Sequence, residues 1–110
     1  MIEVLYRYRV HPAQLRAFEH AYGRNGPWVA LFSKHRGFRR TRLFRNKSEA
    51  GVYICMDIWA SRADWDQFRA ENAQEYAKLD RDLHLLYVEE LLLGYYEDEE
   101  EYQPSLDSTV

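Results

Sequence analysis

The chain predicts an α+β domain in the order strand, helix, strand, strand, helix, strand. Three observations carry that expectation. Ile2, Val4, Tyr6, Tyr8 and Val10 alternate with Glu3, Leu5, Arg7 and Arg9, the period of two that a strand imposes. Val52, Ile54, Met56 and Ile58 alternate with Tyr53, Cys55, Asp57 and Trp59 in the same way. Ser61 followed by Asp64 forms a helix-start signature, and behind it Trp65, Phe68, Asn72, Tyr76, Leu79, Leu83 and Leu86 recur at three and four residues.

The elements follow in order. After the first strand, Pro12 suits the opening turn of a helix, where its missing N–H costs nothing. Leu15, Phe18 and Tyr22 share one face of that helix, which Gly23 ends. Asn25-Gly26-Pro27 reads as a turn, and Trp28, Leu31, Phe32 and His35 make a second short helical face stopped by Gly37. Phe38 to Arg45 is the second strand, joined to the third by a hairpin connection over 46–51. The long stripe after Ser61 contains no Gly or Pro, yet its length predicts a bend or break near Asn72 to Glu75. Glu89 to Tyr96 is the last strand. Antiparallel pairing with the helices on one face is the ferredoxin-like β-α-β-β-α-β arrangement, with a four-stranded sheet. Both faces of the third strand are largely apolar. A chain of 110 residues covers only one of them, so a homodimer is expected.

Composition narrows the class. Hydrophobic residues make up 46% and aromatics 15%, which suits a globular domain rather than a disordered one. Nine tyrosines and three tryptophans could fill a core or wall a pocket for a planar apolar ligand. One cysteine forms no internal disulfide, and with no bilayer-length apolar run or signal pattern a cytoplasmic protein away from membranes is expected. The net charge of −3 is uneven. Six of the eighteen acids lie from Glu97 onward, so the rest of the chain sets twelve acids against fifteen bases. That divides the sequence into a domain over 1–96 and an acidic tail over 97–110, expected to be disordered. The ending Ser108-Thr109-Val110 resembles the terminus of a PDZ ligand.

Lys34, Arg36, Arg39, Arg40, Arg42, Arg45 and Lys47 form a run without an acid. Arg36-Gly37-Phe38 opens like an RNA-recognition signature, but Arg39, Arg40 and Thr41 then replace its small and aromatic residues. An edge strand explains the run more simply, and no nucleic-acid partner is expected.

The residues resemble the antibiotic biosynthesis monooxygenase family of the dimeric α/β-barrel superfamily. The pieces that carry this are Phe18, Ala21-Tyr22-Gly23, Gly26-Pro27-Trp28, Leu31-Phe32, Gly37, Thr41 and Leu43. Asp57-Ile58-Trp59, Ser61, Phe68, Tyr76, Leu79-Asp80, Glu90 and Leu93-Gly94 complete the set, which spans about Glu3 to Tyr96. The resemblance implies a barrel of two sheets, one per subunit, with a pocket between each sheet and its own helices. It also implies oxidation of an aromatic or polyketide-like small molecule by molecular oxygen without metal or flavin. Trp59 matches the tryptophan that closes the third strand in that pattern. Where the pattern has an asparagine and a tyrosine, this chain has Cys55 and Trp65. Haem-degrading relatives fit less well: they place an asparagine on the first strand, where this chain has none, and a histidine near the position of Lys78.

Cofactor-free oxygenation needs a substrate that yields an electron-rich anion, a base and a dry pocket. Asp57, mid-strand among apolar neighbours, is the leading base, since burial raises a carboxyl pKa. The competing reading pairs Asp57 with Arg39 or Arg42 as a structural ion pair. His35 is a second candidate base and Trp59 the third residue of the expected catalytic group. Tyr22, Trp28, Phe32, Trp65 and Tyr76 are expected to line the substrate pocket, against the alternative that the aromatics are plain core. Tyr6 and Tyr8 offer further hydroxyls on apolar faces, while His11, His20 and His84 are expected at the surface. No histidine pair has metal-ligand spacing, so neither a metal nor a cofactor is expected. Cys55 reads as a small buried residue rather than a nucleophile. Hydrolase, NTPase and dinucleotide motifs do not occur. A non-enzymatic binder or accessory protein of the same fold is the alternative function.

Overall fold

The computed structural model describes residues 1–101. Four strands, β1 (Ile2–Val10), β2 (Phe38–Arg45), β3 (Val52–Trp59) and β4 (Tyr87–Tyr96), form one antiparallel sheet in the order β2-β3-β1-β4. The helices are α1 (Leu15–Tyr22), α2 (Pro27–Phe32), α3 (Arg62–Glu71) and α4 (Ala73–Leu83), with short 3-10 turns at Pro12–Gln14 and His84–Leu86. This is the expected ferredoxin-like α+β order, with the arginine-rich β2 at a sheet edge.

Alternation decides what faces the helices. Val4 lies opposite Asp57, Tyr6 opposite Cys55 and Tyr8 opposite Tyr53. Val4, Tyr8, Tyr53, Cys55 and Trp59 join Phe18, Tyr22 and Phe68 from the helices in one buried core. On the other side of the same strands Leu5 lies opposite Met56 and Arg7 opposite Ile54. Thr41 of β2 lies opposite Asp57, which brings its hydroxyl to the helix-covered face.

Several boundaries moved from the sequence reading, each for a local reason. The first helix begins at Leu15 because Pro12 opens a 3-10 turn rather than a full α-turn. The second stops at Phe32, where Ser33 turns its hydroxyl back to the Val29 carbonyl at 2.6 Å and the next amides bond three residues back. The long stripe breaks at Asn72, inside the expected window. The Asn72 side-chain amide and its own backbone N–H both donate to the Phe68 carbonyl, closing α3. Ser61 caps that helix by accepting from the Asp64 N–H at 3.1 Å. Gly37 is needed beside this cap: a Cβ there would sit 2.5 Å from that of Asp64. The last strand starts two residues early, at Tyr87, and carries a bulge. Leu5 pairs with Gly94 and Tyr6 with Leu92, and Gly94 takes φ +137°, which a side chain would resist.

Of the acidic tail, Glu101 meets the Met1 amino group at 2.6 Å in an exposed ion pair. Residues 102–110, with the PDZ-like ending, lie outside the described residues. No helix among the described residues is long and apolar enough to cross a membrane.

Candidate active site

A cavity opens between the sheet and the helices, walled by Tyr6 and Tyr8 of β1, Cys55 and Asp57 of β3, and Glu90 of β4. Tyr22 of α1, Trp28 and Phe32 of α2, and Tyr76 of α4 close its other side. The aromatic wall is continuous: the Tyr8 and Tyr22 rings lie 5.0 Å apart, Tyr22 and Trp28 6.2 Å, and Trp28 and Tyr76 4.9 Å. Between the walls, mouth included, lie about 330 Å³. Only about 20 Å³ of that admits the centre of a water-sized sphere, space for a water or two.

Asp57 lies at that depth, 5% exposed. Burial pushes its carboxyl up to about 6, against which hydrogen bonds from Thr41 and Cys55 pull down. The Thr41 hydroxyl donates to Asp57 Oδ1 at 2.6 Å, and the Cys55 thiol reaches the same oxygen at 3.7 Å. Both donors fall on Oδ1, which leaves Oδ2 uncommitted for a ligand. The ion pair with Arg39 or Arg42 does not form. Arg39 donates to the Arg36 and Phe38 carbonyls, and Arg42 lies over the Phe44 ring at 4.9 Å. For Arg42 the reason is the pleat, since Thr41 beside it shares the Asp57 face; for Arg39, two residues from Thr41, it is the register shift between Phe38 and Arg40, which takes it out of the alternation.

Glu90 is the second carboxylate of the cavity. It lies opposite Tyr8 in the β1–β4 register and accepts the Tyr8 hydroxyl at 2.7 Å. As a residue it is exposed, so it marks the open end, although partial burial raises its carboxyl and the Tyr8 bond lowers it. Burial also raises the tyrosines, Tyr6 to about 12 and Tyr8, Tyr22 and Tyr76 well above their ordinary range. They serve as neutral hydrogen-bonding groups rather than bases. The Tyr22 hydroxyl and the Trp28 indole N–H are both buried and lie near each other, and neither makes a hydrogen bond of good geometry among the described residues. A ligand in the cavity would supply those partners, whereas the Trp59 and Trp65 indole N–H groups are likewise buried and unpartnered in a cluster that borders no cavity among the described residues.

Of the residues singled out in the sequence, Asp57, Tyr22, Trp28, Phe32 and Tyr76 meet around this cavity. Trp59, Trp65 and His35 lie elsewhere. Trp59 and Trp65 are fully buried, 5.2 Å apart, and pack with Phe68 into a closed cluster. His35 is a clasp: its Nδ1 accepts the Gly37 N–H at 2.9 Å, so Nε2 carries the hydrogen and donates to Gln67 Oε1 at 3.0 Å. Both ring nitrogens are occupied in tying the end of α2 to α3. Sequence reasoning missed Glu90 as a site residue because only strand register brings it to Tyr8. Tyr6 and Tyr8 carried a weak signal, as hydroxyls alternating on the face of Val4. Among the described residues no three His, Cys, Asp or Glu side chains gather as metal ligands would.

The family model for antibiotic biosynthesis monooxygenase matches residues 1–78. The chain belongs to that family. No curated protein matches the sequence. Among solved structures, the cofactor-independent oxygenase SnoaB from Streptomyces nogalater is similar over 96% of this chain and 95% of its own, at 18% identity and a TM-score of 0.64. MupZ from Pseudomonas fluorescens is similar at 13% identity and a TM-score of 0.62, over 86% of this chain and 67% of its own. A Deinococcus radiodurans protein that bears the family name gives 11% identity and a TM-score of 0.67, over 96% and 99% of the two chains. At these identities the likeness concerns the fold. What this antibiotic biosynthesis monooxygenase family member does follows from its own cavity.

Proposed function

We propose that the protein is a cofactor-independent monooxygenase that oxidises an aromatic or polyketide-like small molecule with molecular oxygen. The observation that carries this reading is a buried carboxylate without a cationic partner, Asp57, at the depth of an aromatic-walled cavity in a chain of this family. Asp57 Oδ2 removes a proton from a carbon or hydroxyl activated by the substrate's own rings. The resulting anion supplies electrons to oxygen. For a CH₂ between aromatic rings the balance closes as CH₂ + O₂ → C=O + H₂O, with one oxygen atom retained and the other leaving as water. Thr41 and Cys55 hold Oδ1, and the tyrosine and tryptophan rings position a planar molecule and keep water away.

A homodimer in the cytoplasm fits this reading. Val88, Leu91, Leu92 and Leu93 of β4 are exposed on the single chain, and a second copy would cover such a strip. The sole cysteine stays a buried thiol. One feature favours the non-enzymatic reading: the cavity at rest is small for a polycyclic ligand.

Oxygen uptake by metal-stripped protein against anthrones, naphthols and hydroquinones tests the proposal. Protein-dependent uptake with quinone formation, reduced by at least about a hundredfold in Asp57→Asn, is expected. Saturable binding of these compounds with no oxygen uptake would instead establish the binder.

A further inference from the structure

The cavity combines two carboxylates with six aromatic side chains, and among the described residues no lysine, arginine or histidine lines it. Buried carboxylates are normally paired with a cation, because removing a negative charge from water is costly. Arg7 alternates onto the other face of β1 and pairs with Glu89 at 3.6 Å, and Arg69, whose charge reaches Tyr6 and Tyr76, is held over the Trp65 and Tyr76 rings rather than against either carboxylate. The faces of tyrosine, tryptophan and phenylalanine rings attract cations as well. This wall already does so on its outside, where the Arg69 guanidinium lies 5.2 Å from the centre of the Tyr76 ring. Size points the same way. The space of about 20 Å³ is too small for a ring but matches an ammonium group, which is about the size of a water molecule.

We propose that the cavity selects a ligand carrying a protonated amine, held between the aromatic rings at the Tyr8–Glu90 end, with Asp57 adding negative charge at depth. The ammonium donates to Glu90 Oε1, since Oε2 already accepts from Tyr8, and to the unpartnered Tyr22 hydroxyl oxygen. Asp57 Oδ2 stays available as the base. Carboxylate-bearing ligands are rejected by the two like charges of a lining that itself contains no cation. This inference rests on the cavity being the substrate site and adds the charge class of what enters it.

The test is a series of one shape and three charges. Benzylammonium, benzyl alcohol and benzoate are titrated into the full-length protein near neutral pH, read by tryptophan fluorescence and by NMR shifts of the cavity residues. Benzylammonium is expected to bind about tenfold more tightly than benzyl alcohol, and benzoate not at all. In Glu90→Gln the ammonium-to-alcohol ratio is expected to fall to near one. Equal or tighter binding of benzyl alcohol by the native protein would overturn the inference and leave the substrate-site reading standing. Binding of none of the three would overturn both. Oxygen uptake with neutral phenols tests the proposed oxygenation separately. Because the charge series uses the native protein, a Glu90→Gln variant that fails to fold would not blunt it.

Discussion

Two aromatic clusters share the helix-covered face of the sheet, and Phe32 belongs to both. On one side it meets Trp59, Trp65 and Phe68 edge-to-face, with ring centres 5.3–6.0 Å apart, in a cluster whose three other rings are fully buried. On the other it walls the cavity with Trp28, Tyr76 and Tyr22. The sealed cluster is tryptophan and phenylalanine; the hollow one is mostly tyrosine, with two carboxylates. Apolar rings interlock until no void remains, because any gap between them forfeits dispersion attraction. Hydroxyls and carboxylates resist that closure, since each needs a partner or water. The hollow is therefore a property of residue chemistry rather than of the sheet, which is the same beneath both.

The largest expected effect separates the two by stability. Trp59→Ala should cost about 3–5 kcal/mol in urea unfolding, whereas Tyr6→Phe, which removes one hydroxyl at the cavity, should stay within about 1 kcal/mol. Comparable costs at the two sites would break the comparison.

The next effect is a pH dependence. Asp57 has a folded value of about 6 against its ordinary 3.8. Below the lower value the carboxyl is neutral in both states. Between them the folded chain holds a proton that the unfolded chain has lost, so stability falls as pH rises, by up to about 3 kcal/mol once pH exceeds the folded value. Asp57→Asn should not show this fall and should be the more stable protein at pH 8, with the two converging near pH 4. Parallel curves for the two proteins would show that Asp57 is not held in an unfavourable charged state. Activity runs the opposite way: the base form is needed, so turnover should rise with pH through about 6.

The smallest effect sharpens the cavity side. Thr41→Val removes the hydroxyl that donates to Asp57 Oδ1, which stabilises the anion. The midpoint of the pH–activity curve should move up by about one pH unit at unchanged fold, as judged by circular dichroism. An unmoved midpoint would place the titrating group elsewhere.

Much of the fold was legible in the sequence. The alternation of Ile2–Val10 and Val52–Trp59 assigned side chains to faces, Ser61 marked the start of α3, and the stripe after it broke at Asn72 inside the expected window. Of the site, Asp57, Tyr22, Trp28, Phe32 and Tyr76 were singled out and do come together. Trp59, Trp65 and His35 were singled out by the same reasoning and lie outside the cavity. Helical or strand spacing shows that a ring faces inward. It does not show whether another ring fills the space in front of it.

The sequence alone therefore determined the strand and helix order, the alternating faces of β1 and β3, the apolar stripes of the helices, the capping of α3 and the family. All of these depend on residues a few positions apart, where backbone geometry leaves few choices. Only the tertiary structure decided that Thr41 rather than an arginine meets Asp57, and that Glu90 reaches Tyr8 across 82 residues of chain. It also decided that Trp59 is sealed while Trp28 is not. Those outcomes hang on strand register and on which helix crosses above each ring. One residue of slip would turn a different side chain toward the cavity.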